Sequence, residues 1–365
     1  TRDDPLSQKL IDMKLRYAEV AKLATTYTDS VTAQIPFSPD GRVRPRYNQT
    51  GTNTGRFSSS NPFNAQNFPK KSDNLPDIRE AFTLFFGFVY GSLDFSQIEI
   101  VLIAHYSQDE QLRNIILSGK SMHDVTAEAL RIERNLAKSL NFLKNYAGGA
   151  RKLALSLNVP LEEKVDADGL VSKVAPQWVK NYCDGYDKLY SGVTTYRETM
   201  AQIALRYGYV ETLLGRRRTF PDLKKKKEEL KILDERFRKG SNMRKYKPTE
   251  FTPDMEKLYQ ELKKKRSRVW AEVAGVERQA SNAPIQGSAA DIIKLAMVAI
   301  YNDWKERGSP NKIVMQIHDE LVFFLKEDTA EKELDRLKEI MVNVVKLSLP
   351  ISATGGLGKS WSECK

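Results

Sequence analysis

The chain has 365 residues, 41% of them hydrophobic and 29% charged, with a formal net charge of +11. That length suits about two or three lobes, and that balance excludes a disordered chain. No run reaches the roughly 18 apolar residues a bilayer requires, two cysteines (Cys183, Cys364) exclude a disulfide framework, and three histidines leave carboxylates to hold any metal, which favours Mg²⁺ or Mn²⁺.

The N-terminal TRDDPLSQKL has neither a signal peptide's basic head nor its apolar core, and no initiator Met, so it reads as a cut end within a longer parent. Residues 6–28 set Leu6, Leu10, Met13, Tyr17 and Val20 at helical spacing. Residues 38–69 are rich in Gly, Pro, Asn and Ser and read as short strands and loops. A strand over Val89–Phe95 leads into a helix bearing Ile98, Val101, Leu102 and Ala104, and residues 121–157 and 172–207 are helical. A hairpin is expected around Leu214-Gly215. Residues 224–270 form one or two charged helices broken near Pro248 and Pro253. Between Arg216 and Arg268 stand 20 Lys or Arg against 9 Asp or Glu, so the whole net charge of +11 resides in this one segment. A helix capped by Ser288 and Asp291 runs to Gly308. Ile313–Phe324 (IVMQIHDELVFF) follows as two strands, then a helix over Ala330–Leu347 and a last strand over Leu349–Thr354. Helices and antiparallel strands in irregular order point to an α+β fold.

Three constellations carry chemistry. Asp94 ends an apolar strand, with Glu99 five residues on at the start of a helix; it is either a metal ligand or a helix cap. Arg134, Lys138, Phe142 and Tyr146 recur every four residues along one slowly drifting helical stripe. Two cations followed by two aromatics suit a nucleoside triphosphate, and the alternative is a solvated basic face with two core aromatics. Finally, His318, Asp319 and Glu320 interrupt an apolar stretch, where unpaired charges would cost several kcal/mol each if buried. A turn between two strands would present them at a tip instead. Asp94 and Asp319 can meet only if their strands are adjacent, and they then repel unless a divalent cation lies between them.

Together these residues resemble family A DNA polymerases, the bacterial DNA polymerase I group with its phage and organellar relatives. Motif A is similar to Leu93-Asp94-Phe95-Ser96-Gln97-Ile98-Glu99, motif B to Arg134-xxx-Lys138-xx-Asn141-Phe142-xxx-Tyr146, and motif C to Gln316-Ile317-His318-Asp319-Glu320. The stretches Thr54–Pro69, Gly208–Leu223 and Glu277–Met297 resemble that family's primer-template loop, post-motif-B hairpin and template-side helix. The resemblance implies DNA synthesis from dNTPs on a primer-template by two-metal nucleotidyl transfer, with roles in replication or repair. Asp94, Asp319 and the Phe95 carbonyl would hold two Mg²⁺, with Mn²⁺ as a substitute, and Glu320 would lie close by. His123, Arg134 and Lys138 would bind the phosphates, Lys138 also protonating the leaving group. Phe142 would stack on the nucleotide and Tyr146 guard the template base. Glu99 would exclude a ribose 2′-hydroxyl while hydrogen-bonded to Tyr146, and Gln97 would border the nucleotide. Arg56, Asn64, Gln66, Asn67, Arg278, Asn282, Gln286 and His318 would touch the primer-template. The implied architecture is a right hand: a palm of antiparallel sheet from residues 1–120 and 291–365, helical fingers over 121–290, and the thumb largely missing. The expected partners are DNA, dNTPs and accessory or remaining polymerase domains such as a thumb or exonuclease, with no membrane. An intracellular enzyme of bacterial, phage or organellar origin is implied.

This sequence departs from the family pattern in places. Leu143 and Ala147 stand where motif B usually has glycine, Val101 replaces a common Arg, and the primer loop carries an extra residue around Phe63. The Lys-rich insert over 224–270 is either a solvated helical pair or an element that grips DNA or docks a partner. A single-subunit RNA polymerase and a degenerate DNA-binding domain are the rival functions; Glu99 argues against the first, and intact Asp94, Lys138 and Asp319 against the second.

Overall fold

The computed structural model describes residues 4–61, 63–69, 76–84, 86–165 and 171–364; Thr1–Asp3, Pro62 and Lys365, which fall in stretches read above, lie outside them. In chain order, α1 (Pro5–Lys22) starts where the Asp4 carboxylate accepts from the Leu6 and Ser7 amides, with Pro5 preset for the first turn. It passes through a wider turn over Leu23–Thr28 into α2 (Asp29–Thr32). β1 (Arg46–Asn48) and β2 (Ser58–Ser60) form a short hairpin before β3 (Phe88–Phe95). Five helices follow: α3 (Ile98–Ser107), α4 (Glu110–Leu117), α5 (Met122–Leu130), α6 (Arg134–Asn145) and α7 (Ala150–Ser156). Asp109 and Ser121 cap α4 and α5. β4 (Glu162–Val165) and β5 (Val171–Val174) pair as a hairpin that the sequence reading missed, so the helix expected from 172 starts only at α8 (Gln177–Leu189). α9 (Ser191–Tyr207) leads to the expected hairpin of β6 (Tyr209–Glu211) and β7 (Arg217–Thr219). Then come α10 (Leu223–Tyr246), α11 (Pro253–Arg307), β8 (Lys312–Ile317), β9 (Glu320–Lys326), α12 (Ala330–Asn343) and β10 (Ala353–Gly358). The fold is α+β, with antiparallel sheets, as expected.

The chain divides into two compact units, one of residues 1–98, 289–346 and 351–365, the other of residues 99–288 and 347–350. Their breaks fall at 98/99 and 288/289, where the sequence suggested 120/121 and 290/291.

The first unit is built on a four-stranded sheet of order β10-β3-β9-β8. Register sets Asp94 opposite Glu320, Ser92 opposite Val322 and Tyr90 opposite Phe324, so residues 90, 92 and 94 share a face with 320, 322 and 324. That face packs on an aromatic cluster that includes Tyr27, Phe63, Phe68 and Trp361. On the opposite face Leu321, Phe323 and Leu325 are fully buried, with Trp304 edge-on to Phe323 at 6.0 Å between centroids. β10 begins four residues later than the sequence suggested. Glycine weakens a strand taken by itself, yet Gly355 is what this sheet requires: a Cβ there would meet the Ser92 carbonyl oxygen at 1.8 Å.

α11, whose residues divide between the two units at 288/289, corrects another expectation. Ser288 does not cap a new helix, because one helix runs unbroken from Pro253 to Arg307 with Pro284 inside it. Ser288 is fully buried; its Oγ accepts from the Leu213 amide at 2.8 Å and bonds Tyr106 Oη at 2.7 Å. The helix continues because Val269, Val273, Val276 and Ala280, spaced 4, 3 and 4, seat it on the core with Leu233, Phe220 and Ala204. One 18-residue window of α11 is apolar and long enough to cross a membrane, but 61% of it is buried inside the protein, as in a core helix.

The Lys-rich segment is a helical pair. α10 runs antiparallel to the first half of α11, with pairs Lys226–Glu272, Lys265–Glu229, Arg266–Asp234 and Arg244–Glu256 along the seam. Phe237 stacks on Tyr259 at 5.0 Å between centroids. Each exposed pair contributes at most about 1 kcal/mol.

Candidate functional site

In the first unit, the apolar stretch at Ile313–Phe324 is a hairpin with a two-residue turn. Ile317 pairs with Glu320, leaving His318 and Asp319 at the tip, with His318 in the left-handed region at φ 53°. The cost of burying this charge therefore does not arise: His318 is exposed, and Asp319 and Glu320 are half-buried. The Phe95 amide donates to the Asp319 carbonyl at 3.1 Å, which sets motif A's strand end against motif C's turn. Asp94 is exposed at that strand end. Arg56 lies 3.5 Å from the Asp319 carboxylate.

Glu320 is differently employed. Its Oε1 accepts from Ser92 Oγ at 2.6 Å. Burial, helped by the charge of Glu320, pushes the neighbouring Cys364 thiol up to about 12. Among the described residues no group of three or more His, Cys, Asp or Glu converges as a metal cage. Hard oxygen donors from one or two carboxylates, leaving other positions for phosphate and water, suit Mg²⁺. Asp94 and Asp319 fit that requirement.

The turn is held from behind. Gln66 Nε2 donates to the Gln316 carbonyl at 2.7 Å and to Gln316 Oε1 at 2.9 Å, while Gln66 Oε1 accepts from the His318 amide at 2.9 Å. Gln316 Nε2 donates to the His318 carbonyl, and Tyr47 Oη donates to the Gln316 carbonyl at 3.0 Å. Gln66, read from sequence as a DNA contact, is only 8% exposed, and its amide is spent on this turn. Asn64 caps the short helical turn Ala65–Asn67 by accepting from the Gln66 amide at 3.0 Å. The exposed Asn67 accepts the Tyr27 hydroxyl at its carbonyl. Sequence reasoning assigned no role to Ser92, Tyr47 or Gln316. For Ser92 a signal existed, since two residues before Asp94 on a strand means the same face.

In the second unit, α6 buries Ala137, Leu140, Asn141, Leu143 and Lys144 and exposes Arg134, Lys138 and Phe142, with Tyr146 exposed just past its end. The two aromatics are 51% and 44% exposed, so they are not core residues. Arg134 Nε donates to Asp124 Oδ1 at 2.6 Å. His123 stands beside the stripe, 5.7 Å from Phe142 between ring centroids, with Nδ1 2.8 Å from the Asn141 amide nitrogen. Burial, then the nearby charges of Arg134 and Lys138, lower the His123 pKa, leaving the ring neutral at pH 7. Tyr146 Oη donates to Glu99 Oε2 at 3.1 Å, the contact expected from the resemblance, and Gln97 is exposed in the turn before α3 at φ 52°. On α11, Arg278 is exposed, and Asn282 and Gln286 are half-buried.

Both departures of motif B have a structural counterpart. Leu143 is buried and fills the space a Cβ on Gly148 would occupy, 2.4 Å from such an atom. Ala147 takes the left-handed conformation, φ 53°, that a glycine accepts without strain. Val101 is buried in α3, where a cation would have no solvent.

Residues 4–363 match the family described as DNA polymerase family A. The chain belongs to DNA polymerase family A. It is 33% identical over 365 residues to the thermostable DNA polymerase I of Thermus thermophilus, covering 98% of this chain and 37% of that protein. Identity to DNA polymerase I of Pseudomonas aeruginosa is 31% over 353 residues, covering 96% of this chain and 33% of that one. Among solved family A structures, the polymerase domain of Pol1 from M. smegmatis, in complex with DNA primer-template and dNTP, superposes with a TM-score of 0.72 at 28% identity, covering 96% of this chain and 53% of that one. The chain thus spans little more than a third of the length of its Thermus relative.

Proposed function

We propose that this chain is the palm and fingers of a DNA-directed DNA polymerase that extends a primer 3′-hydroxyl with dNTPs on a DNA template. The carrying observation is the strand pairing that sets Asp94 beside the Asp319 turn in a family A chain. The first unit serves as palm and the second as fingers, with 224–270 as an insert in the latter.

Asp94, Asp319 and the Phe95 carbonyl would hold two Mg²⁺, with Mn²⁺ as an alternative. Bound there, the ions would supply Lewis-acid activation of the primer hydroxyl and charge compensation on the triphosphate and leaving pyrophosphate. Asp319 is the ligand of its pair; Glu320 is committed to Ser92 and shapes the floor beneath. Arg56 balances Asp319 and contacts the primer. Exposed His318 reaches the primer end, and Gln66 positions that turn from behind rather than touching DNA. Asn64 and Asn67 present the adjoining loop.

Arg134 and Lys138 bind the triphosphate, and Lys138 donates a proton to the departing pyrophosphate. His123, neutral and bonded to Asn141, offers the phosphates a ring N–H, and the ring takes up a proton from solvent when they arrive. Phe142 stacks on the incoming nucleotide, Gln97 borders it, and Tyr146 orders the template position. Glu99, fixed by Tyr146, stands where a ribose 2′-hydroxyl would lie, which favours DNA over RNA synthesis. Arg278, Asn282 and Gln286 face the template side of the duplex.

Primer extension on a defined template, with dNTPs and rNTPs in separate reactions containing Mg²⁺, tests the reading. dNTP-dependent extension supports it. Equal use of rNTPs would overturn the Glu99 assignment, and no extension would overturn the polymerase reading.

A further inference from the structure

The basic charge of the insert is not spread evenly over its two helices. Cations flanking the seam (Lys226, Lys265, Arg266 and Arg244) are neutralised by acids of the facing helix. On the outer face of α10 one row alternates Lys224, Glu228, Lys231, Glu235 and Arg238, all exposed, so charge within that row is largely compensated, while Lys225, Arg236 and Lys239 stand exposed beside it. The outer face of α11 is different. Lys257, Lys264, Arg268, Ala271, Gly275, Arg278 and Asn282 follow at spacings of 7, 4, 3, 4, 3 and 4. Those 25 residues close seven turns to within about 20°, so they form one straight row about 38 Å long. No acid lies in the row; Glu261 sits on its margin.

Lys257, Lys264, Arg268 and Arg278 are all exposed, and the described ion pairs include none of the four. The charge of Arg268 reaches Glu272, whose carboxylate is bonded to Lys226. In the middle of the row Ala271 and Gly275 carry no long side chain, and the Arg278 guanidinium lies back beside Gly275, 3.7 Å from where a Cβ would stand. Small residues between cations allow a polyanion to approach the helix closely.

We propose that this face of α11 is a track for the sugar-phosphate backbone of duplex DNA, carrying the template-side surface that starts at Asn282 and Arg278 outward along the insert as far as Lys257. The inference rests on the reading of Arg278 and Asn282 as template-side residues. A row of about 38 Å matches one turn of duplex, about 34–36 Å. The cations along the seam, Lys226, Arg244, Lys265 and Arg266, stabilise the helical pair that supports the row, and the partner is a polyanionic duplex rather than a protein.

Two full-length variants of equal charge change separate the track from diffuse attraction. One is K257Q/K264Q/R268Q on α11; the other is K224Q/K231Q/R238Q on the outer face of α10. Binding to a fluorescent 40-base-pair primer-template is measured by anisotropy at several salt concentrations. Each lost phosphate contact lowers the slope of log K against log salt by about 0.9. The track predicts a slope reduced by about 2–3 and affinity lowered at least tenfold at 0.1 M salt for the α11 variant, with a slope change below about 0.5 for the α10 variant. Equal losses in both variants, or no loss in the α11 variant, would overturn it. A photo-crosslinker at Ala271→Cys, an uncharged change selective because Cys183 and Cys364 are buried, gives an independent readout. It must capture DNA more strongly than one at Ile232→Cys on α10, and equal or weaker capture also overturns the track. Primer extension by the unsubstituted chain reports separately on the polymerase reading.

Discussion

Glu99 and Asp319 show how much a single carboxylate depends on its neighbours. Glu99 is tied to Tyr146 at 3.1 Å, which makes it a fixed obstacle rather than a mobile charge. Glu99→Ala is expected to raise rNTP use relative to dNTP at least tenfold, read as the ratio of kcat/KM values; Tyr146→Phe, which keeps the ring but frees Glu99, is expected to raise it less. His123 allows a second test. Its pKa is lowered by burial and then by Arg134 and Lys138, so an anionic triphosphate among these groups favours the imidazolium. The sign follows: dNTP binding raises the His123 pKa toward or above its ordinary value near 6.5, with net proton uptake between the free and bound pKa values. With three histidines in the chain, an NMR titration with and without dNTP resolves the shift. A fall on binding would contradict the phosphate role.

Secondary elements record where the sequence was legible. The strand at Val89–Phe95, the hairpins at Leu214-Gly215 and His318-Asp319, and the helix bearing motif B were readable because apolar period and turn chemistry agreed within each. The false helix start at Ser288 arose because a Ser-x-x-Asp pattern is local, whereas the helix is carried through it by apolar contacts made far away in sequence. β10 was misplaced because Gly355 serves a neighbouring strand's backbone, which no local pattern records. The roles of Gln66 and Gln316 were likewise invisible, since their partners lie some 250 residues apart. At this scale Ala147 is a strained point. Ala147→Gly relieves a left-handed alanine and is expected to stabilise by about 1 kcal/mol, a rise of about 2 °C in Tm; an unchanged or lower Tm would show the strain absent. Phe323, fully buried in the four-stranded sheet, is expected to cost about 3–5 kcal/mol as Phe323→Ala, measured by urea unfolding.

Across the whole molecule, chemistry and charge have different addresses. The net charge of +11 is concentrated between Arg216 and Arg268, while the carboxylates proposed for catalysis lie at the end of the four-stranded sheet. Two carboxylates without phosphate oxygens make a weak Mg²⁺ site, so metal is expected to matter for turnover far more than for folding. Chelation by EDTA is predicted to stop primer extension and shift Tm by less than about 1 °C; a large loss of Tm would point to a structural metal instead. The most direct test of the central claim is single-turnover primer extension by the parent, Asp94→Ala and Asp319→Ala, each checked for native Tm and DNA affinity. The account predicts extension by the parent and a loss of at least a thousandfold in rate for either variant. Folded variants that extend the primer as fast as the parent would contradict it.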